Sequence, residues 1–487
     1  MHTTRRTHNL ALLTISCLFF FSNTKVIAAD SVEQLSTLKE QKSVAVTIYN
    51  DDLALIKDLR QVTLVSGNFN LAWRDVSAQM RPETALLRSI TNPGSIDVLE
   101  QNFNFDLLTP QSLLNKYIGQ TVSVVKSNPA TGVESKENAI VLAASNGMVL
   151  KMADRIETGI PGRIIFDNVP SNLRDRPTLV IGGDNRGAAT QDIALSYLTG
   201  GLSWKADYVA ELNDKDDQLD LSGWVTLTNT SGTSYPNAKL QLVAGDINRV
   251  QREFAAPRAL RAKIMADAAA APMREEALME YHLYSLDRLT TIAENQTKQV
   301  ALLNASGVPA SKELVLAGSD YYYAASYGDL GQKMKVDVFV QFDNKESARL
   351  GMPLPKGIIR VYKRDKTGNA QFVGEDHIDH TAKNEIIRLK LGQSFDVTAD
   401  KKQTEFKQLS TGGASGINRF ESAYEITLKN AKKEMTTVVV QEPIPGDWKI
   451  VDESQPHSKP ASNTAMWKVD VPAEGTSTLK YRVHVKY

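Results

Sequence analysis

Apolar and polar positions alternate with period two along most of the chain. Val44, Val46 and Ile48 are interleaved with Ala45 and Thr47, and Tyr424, Ile426 and Leu428 with Glu425 and Thr427. Val336, Val338, Val340 and Phe342 repeat the pattern, as do Ile387, Leu389 and Leu391. The last run is the clearest, with Leu479, Tyr481, Val483, Val485 and Tyr487 on one side and Lys480, Arg482, His484 and Lys486 on the other. Side chains alternate across a strand, so these runs predict half-buried strands with one wet face. Many such strands, broken by Gly, Asn, Asp and Pro, predict a mainly β fold of antiparallel β-sandwich domains.

Two stretches depart from this pattern. Thr109-Pro110 opens a short helix running from Gln111 to Ile118, with Thr109 as its cap and Gly119 as its stop. Short, turn-rich strands follow at Thr121–Val125, Ala139–Ala143, Met148–Met152 and Arg163–Phe166, with a hairpin turn at Asn146-Gly147. They predict a small inserted β-barrel near 119–170. From Arg252 to Leu283 the chain is rich in Ala, Met, Arg and Glu and poor in β-branched residues, with breaks at Pro257 and Pro272. That composition predicts a helical or disordered insertion over 250–283. The expected organisation is a leader at 1–29, an N-terminal β domain at 30–176 and a C-terminal β-sandwich region at 177–487.

The leader expectation rests on Arg5-Arg6, the apolar run Leu10–Phe21 and the small-residue exit Val26-Ile27-Ala28-Ala29. These are the three regions of a cleavable secretory signal peptide, with the cut near Ala28 or Ala29. The apolar run is shorter than the ~20 residues that span a bilayer. The expected location is therefore the periplasm or the outside of the cell, with no transmembrane segment after cleavage. Cleavage removes Arg5, Arg6 and Lys25 and no acid, which takes 56 basic residues to 53 against 56 acidic ones. Nothing there favours nucleic acid. Cleavage also removes Cys17, the only cysteine, and with it disulfides, thiol nucleophiles and thiolate metal sites.

An ordered set of short motifs fills the second half. It begins at Leu195-Ser196-Tyr197-Leu198 and Gly201-Leu202-Ser203-Trp204-Lys205-Ala206-Asp207-Tyr208, then Leu221-Ser222-Gly223-Trp224-Val225-Thr226-Leu227-Thr228-Asn229. Tyr235-Pro236-Asn237-Ala238, Leu242-Val243-Ala244-Gly245-Asp246, Gly374-Glu375-Asp376, Ser394-Phe395-Asp396-Val397, Gly446-Asp447-Trp448 and Tyr481-Arg482-Val483 continue it. Over about residues 190 to 487 the chain resembles the family called "domain of unknown function 4139". That family is found in bacterial exported proteins and in relatives of the mucoidy inhibitor A type. The resemblance implies no activity and no catalytic residues. The mucoidy-inhibitor relatives carry a long coiled coil before the domain, whereas here only about residues 31–42 have room for a helix.

Candidate chemistry is sparse. His377 and His380, with Asp379 between them, are the best metal-ligand set; on a helical turn the two histidines share a face, whereas in a strand they point apart. The acids Asp214, Asp216, Asp217 and Asp220 fail the calcium-loop spacing, since Leu219 and Val225 stand where glycine and glutamate belong, and read as a solvated hairpin tip. Tyr321-Tyr322-Tyr323, read as a strand, puts Tyr321 and Tyr323 on one face, and with Trp204 these are the candidate binding residues. Trp204 and Tyr208 also read as a core pair on one face of a strand. The leading expectation is an exported, non-enzymatic β-sandwich protein that binds or scaffolds in the envelope, with an envelope protein or polysaccharide as partner and no cofactor. The alternatives are a metal-dependent envelope hydrolase using His377 and His380, and a carbohydrate-binding protein.

Overall fold

The computed structural model describes residues 32–486 except 51, 146, 160–161, 171, 246–247, 249–272 and 411–417. The expected leader, with its cleavage site and Cys17, and most of the expected insertion lie outside these residues. The described chain is built from strands, and Pro110–Lys116 is its one α-helix. Thr109 caps that helix as anticipated, its hydroxyl accepting from the Ser112 N–H at 3.0 Å.

Two sheets form the first sandwich. One runs Gln34–Ser36, Gly67–Arg74, Thr178–Asn185, Ile96–Asn104. The other runs Arg274–Leu278, Tyr281–Ser285, Tyr235–Ala244, Gln41–Tyr49, Leu53–Thr63, Thr190–Thr199, Leu86–Ser89, with Thr290–Ile292 also paired to Tyr235–Ala244. Their inward residues, among them Val46, Ile48, Ile56, Leu71, Trp73, Leu179, Ile181, Ile193 and Leu195, are buried in one core. An ion pair is buried at its side. Asp58 accepts from Arg60 Nε at 2.9 Å and Trp73 Nε1 at 2.9 Å, and Arg60 donates to the carbonyls of Ser36 and Arg74. The guanidinium so ties three strands together by satisfying main-chain acceptors. Strands on both sides of 176/177 are partners here, since Thr178–Asn185 and Thr190–Thr199 complete sheets begun earlier in the chain.

The expected small barrel is an open sheet. Its strands run Ile156–Thr158, Val149–Lys151, Glu134–Ala143, Thr121–Ser127, Arg163–Ile165, over a separate core that includes Leu114 of the helix. The two outer strands are three residues each and do not pair with one another. Closure needs a staggered ladder, which such short strands cannot supply. The end of the expected insertion is corrected as well. From Arg274 onward its described part is a hairpin, Arg274–Leu278 with Tyr281–Ser285, turning at Met279 with φ of 55°. Ladder bonds to the neighbouring Tyr235–Ala244 override local helix preference.

The third large sheet has thirteen strands. Its first seven run Ala370–Ile378, Gly357–Arg364, Leu202–Leu212, Gln218–Asn229, Gln296–Ala317, Asp329–Asp343, Ile386–Ser410. They curl until the first lies beside the last. The Lys390 N–H donates to the Asp376 carboxylate at 2.7 Å across this seam. Gly374 lies so close that a Cβ there would stand 2.4 Å from the Leu391 carbonyl oxygen. No main-chain ladder closes the seam among the described residues. The sheet continues through Arg419–Asn430, Gly475–Lys486 and Asp447–Glu453, and Thr436–Pro443 pairs with both Gln296–Ala317 and Thr464–Val471. These C-terminal strands enclose a second core holding Tyr424, Ile426, Leu428, Trp467, Leu479, Tyr481, Val483 and Val485. Three strands serve both cores. Gln296–Ala317 sends Val300, Leu302 and Val308 into the first and Leu314 and Leu316 into the second, and Asp329–Asp343 and Ile386–Ser410 divide in the same way.

Candidate functional site

The curled seven-strand sheet ends in a mouth at the hairpin between Leu202–Leu212 and Gln218–Asn229. The turn is built locally. Asn213 Oδ1 accepts from the N–H groups of Asp217 and Gln218, Asn213 Nδ2 donates to Asp217 at 2.6 Å, and Asp216 adopts φ of 59°. Asparagine and aspartate favour such turns because their side chains substitute for main-chain partners. The hairpin is pinned to the next strand, with Ala310 N–H donating to the Asp217 carbonyl and Gly307 N–H to the Asp220 carboxylate, both at 2.8 Å. Asp216 is thereby aimed across the mouth.

A cleft of about 210 Å³ opens there. Leu212, Val338, Val340, Val373 and Leu391 give it apolar walls from four strands, and Asp216, Lys312 and Lys363 bring charge to it. Both lysines stand beside the wall because of strand register. Lys363 is the ladder partner of Leu212, and Lys312 of Val340. Each ammonium pairs with a different oxygen of the Asp216 carboxylate. Burial alone would raise that carboxyl's pKa, but the two lysines outweigh it and hold it below the ordinary 3.8. Two cations therefore share one anion against a greasy wall. Two shallower hollows adjoin, one of about 620 Å³ that shares Lys363 and Val373, the other of about 330 Å³. Two of their carboxylates are tied up by neighbours. Glu211 pairs with Arg364, and Asp365 is pulled down to about 2 by the Thr367 hydroxyl, the Asn369 N–H and the Gln371 amide.

The structure does not gather the metal-ligand candidates. His377 is exposed on Ala370–Ile378, opposite Ile358, and Asp379 is exposed beyond the strand end. His380 is half-buried, with Nδ1 accepting from the Lys356 N–H at 3.2 Å and Nε2 lying 3.4 Å from Asn50 Nδ2. The segment is extended through Ile378, so the two imidazoles do not share a face. Among the described residues, no three His, Cys, Asp or Glu side chains are placed to hold a metal ion.

The binding candidates are scattered too. Trp204 and Tyr208 are core residues, as their spacing suggested, so Trp204 offers no surface. Tyr321–Tyr323 form a 3-10 turn, Asp320–Tyr323, rather than a strand. Tyr322 and Tyr323 are buried and only Tyr321 is exposed, its ring held edge-on to those of Tyr322 and Tyr327. Tyr321 flanks a hollow of about 410 Å³ with Ser319, Asp320, Pro443, Pro445 and Asn463.

Beneath that turn lies a buried charge that sequence reasoning missed. Lys401 and Glu442 pair at 2.6 Å, both essentially without solvent exposure. Tyr323 donates its hydroxyl to Glu442 at 2.8 Å and meets the Tyr481 hydroxyl at 2.9 Å, and the Lys401 ammonium lies 4.3 Å above the Tyr322 ring. Burial depresses the Lys401 pKa despite its partner. The only sequence signal was weak: Lys401 breaks the alternation at a position where Val397 and Ala399 point inward.

No curated protein matches the chain. The model of the family described as "Domain of unknown function (DUF4139)" matches residues 193–487, a span that holds the mouth, the Lys401–Glu442 pair and all of the thirteen-stranded sheet. The chain belongs to that family.

Proposed function

We propose that this protein is an exported, non-enzymatic binding module of the cell envelope, with the mouth of the curled sheet as its ligand site. The observation that carries the reading is the make-up of that cleft: apolar walls from four strands around one carboxylate held between two lysines. Apolar concavities with a few oriented polar groups, often at barrel mouths, are the usual form of small-ligand sites. A carboxylate held ionised between two ammoniums is a weak base, which favours binding over proton transfer. The charged start, apolar run and Ala28-Ala29 exit support export.

The test is fractionation of a bacterial host expressing the whole chain, with intact-mass measurement and capture of envelope material. The expected result is a periplasmic or secreted product beginning near Ala29 or Asp30 that retains an envelope component. A cytoplasmic product with its first residues intact overturns the export reading. Activity with stoichiometric metal that is lost in His377→Ala/His380→Ala overturns the non-enzymatic one.

Saccharide binding is a second reading, favoured by the Tyr321 hollow. Tyr321 offers a ring fixed by two neighbours, and the Asp320 carboxylate and Asn463 amide nitrogen make no hydrogen bond among the described residues. Rigid aromatic faces beside free planar polar groups suit sugar rings and their hydroxyls. Retardation of the protein in polysaccharide-containing gels, lost in Tyr321→Ala, is the expected result; equal mobility of both proteins with and without polysaccharide removes this reading.

A further inference from the structure

We infer that the mouth cleft takes a small amphiphile with a carboxylate head and a short alkyl tail; this rests on the binding reading above and deepens it. The argument is one of charge and shape. Lys312 and Lys363 both spend their charge on Asp216, so the three groups together carry an excess of one positive charge. All three remain partly solvent-accessible, with about a third of each lysine side chain exposed. An incoming oxyanion can therefore reach either ammonium without unfolding anything. A charge-assisted hydrogen bond to an ammonium is about twice as strong as a neutral one. The tail has its place already. Leu212 and Val340 are the ladder partners of the two lysines, and Leu391, on the strand paired with that of Val340, adds to the same wall. Head and tail sites are thus one ladder step apart. At about 210 Å³ the cleft lies below the usual range for drug-sized ligands, which favours a short tail. A neutral amphiphile makes no charge-assisted bond to either ammonium, and a small inorganic anion leaves the wall wet.

In this geometry Asp216 is the ligand's competitor. It occupies the same two ammoniums that the carboxylate head needs. Substitutions at the three charged positions should consequently move affinity in opposite directions, which a merely structural ion pair does not do.

The experiment is isothermal titration of the purified full-length mature protein with octanoate at pH 7, with octanol and acetate as controls. Octanoate is expected to bind at one site, more tightly than either control. Lys363→Met and Lys312→Met should each weaken it about tenfold, the worth of one charged hydrogen bond. Asp216→Asn should tighten it about tenfold by releasing both ammoniums. Asparagine tolerates the left-handed backbone of that position, so the variant is expected to fold. Circular dichroism checks the fold of each protein, and the Lys363→Met comparison stands by itself if Asp216→Asn fails that check. Absence of octanoate binding, equal binding of octanol, or an Asp216→Asn protein that binds no better overturns the inference. The export and envelope-capture measurements are independent of octanoate, so failure of this inference is distinguishable from failure of the binding-module reading.

Discussion

Removing the carboxylate from the buried Lys401–Glu442 pair gives the sharpest test of the C-terminal core. In Glu442→Leu the ammonium keeps the Tyr322 and Tyr424 ring faces, at 4.3 and 5.2 Å, but loses the carboxylate paired with it. Breaking a buried pair from one side costs about 3–5 kcal/mol. A ceiling comes from the proton: neutralising a lysine of ordinary pKa at pH 7 costs about 5 kcal/mol. The variant is expected to escape by that route. Its folded Lys401 is then neutral while the unfolded lysine is charged, so the unfolded state binds one more proton. Stability must rise with pH, by about 1.4 kcal/mol per unit, until the pH reaches the unfolded lysine's pKa. In the double variant Lys401→Met/Glu442→Leu no charge remains, and Tyr323 keeps its bond to Tyr481 at 2.9 Å. That protein should lie within about 2 kcal/mol of wild type and show none of the extra slope. The assay is guanidinium unfolding at pH 7 and pH 9 followed by near-ultraviolet circular dichroism, with hydrogen exchange across Thr436–Pro443 as a local readout. A Glu442→Leu protein with no added pH slope, or a double variant as unstable as the single, would refute the reasoning.

Three further outcomes follow from the structure. Gly318→Ala places a Cβ 2.2 Å from Glu442 Oε2 and should cost about 2 kcal/mol by pushing the carboxylate off Lys401, read as a lower denaturation midpoint; an unchanged midpoint rejects that contact. Glu405, Glu421 and Glu425 are held below their ordinary 4.5, by Lys407 and Arg482, by His484 and Arg482, and by Lys402 and Lys480 respectively. Their contribution is present above pH 4.5 and lost as pH falls through the folded values, so acid should loosen the strands Ile386–Ser410, Arg419–Asn430 and Gly475–Lys486, and replacing the three by glutamine should flatten that acid limb of the melting-temperature profile. Elemental analysis of protein purified without chelator or metal-affinity resin should find zinc, iron and manganese well below one per chain; a stoichiometric metal lost in His377→Ala/His380→Ala would reverse the placement argued for those residues.

Period-two alternation was enough to foresee the strands, because a half-buried strand writes its two faces into alternate residues. Val44, Val46 and Ile48, Ile387 and Leu389, and Leu479, Tyr481, Val483 and Val485 are all buried where that pattern put them. What alternation does not encode is which strand pairs with which. The curl that brings Ala370–Ile378 beside Ile386–Ser410 is set by long-range contacts such as Gly374 against Leu391. The candidate site was hidden for the same reason. Asp216 read as part of a solvated acidic tip, and its two lysines lie about a hundred or more positions further along the chain, unremarkable in their own segments. The tyrosine run was misread because a 3-10 turn and a short strand are both compatible with three consecutive aromatic residues, and the pull of Tyr323 toward Glu442 is not local.

The three strands shared by both cores leave the two halves without a hinge. A rotation of one half against the other would have to shear main-chain ladders in Gln296–Ala317, Asp329–Asp343 and Ile386–Ser410 together. Lys312 at the mouth and Leu314 in the second core are two residues apart on one such strand. A push at the mouth is therefore carried along a stiff β-ribbon into the far half, as a load is carried along a girder. Displacing one end of these strands therefore strains the packing at the other, so the two cores report on each other's position.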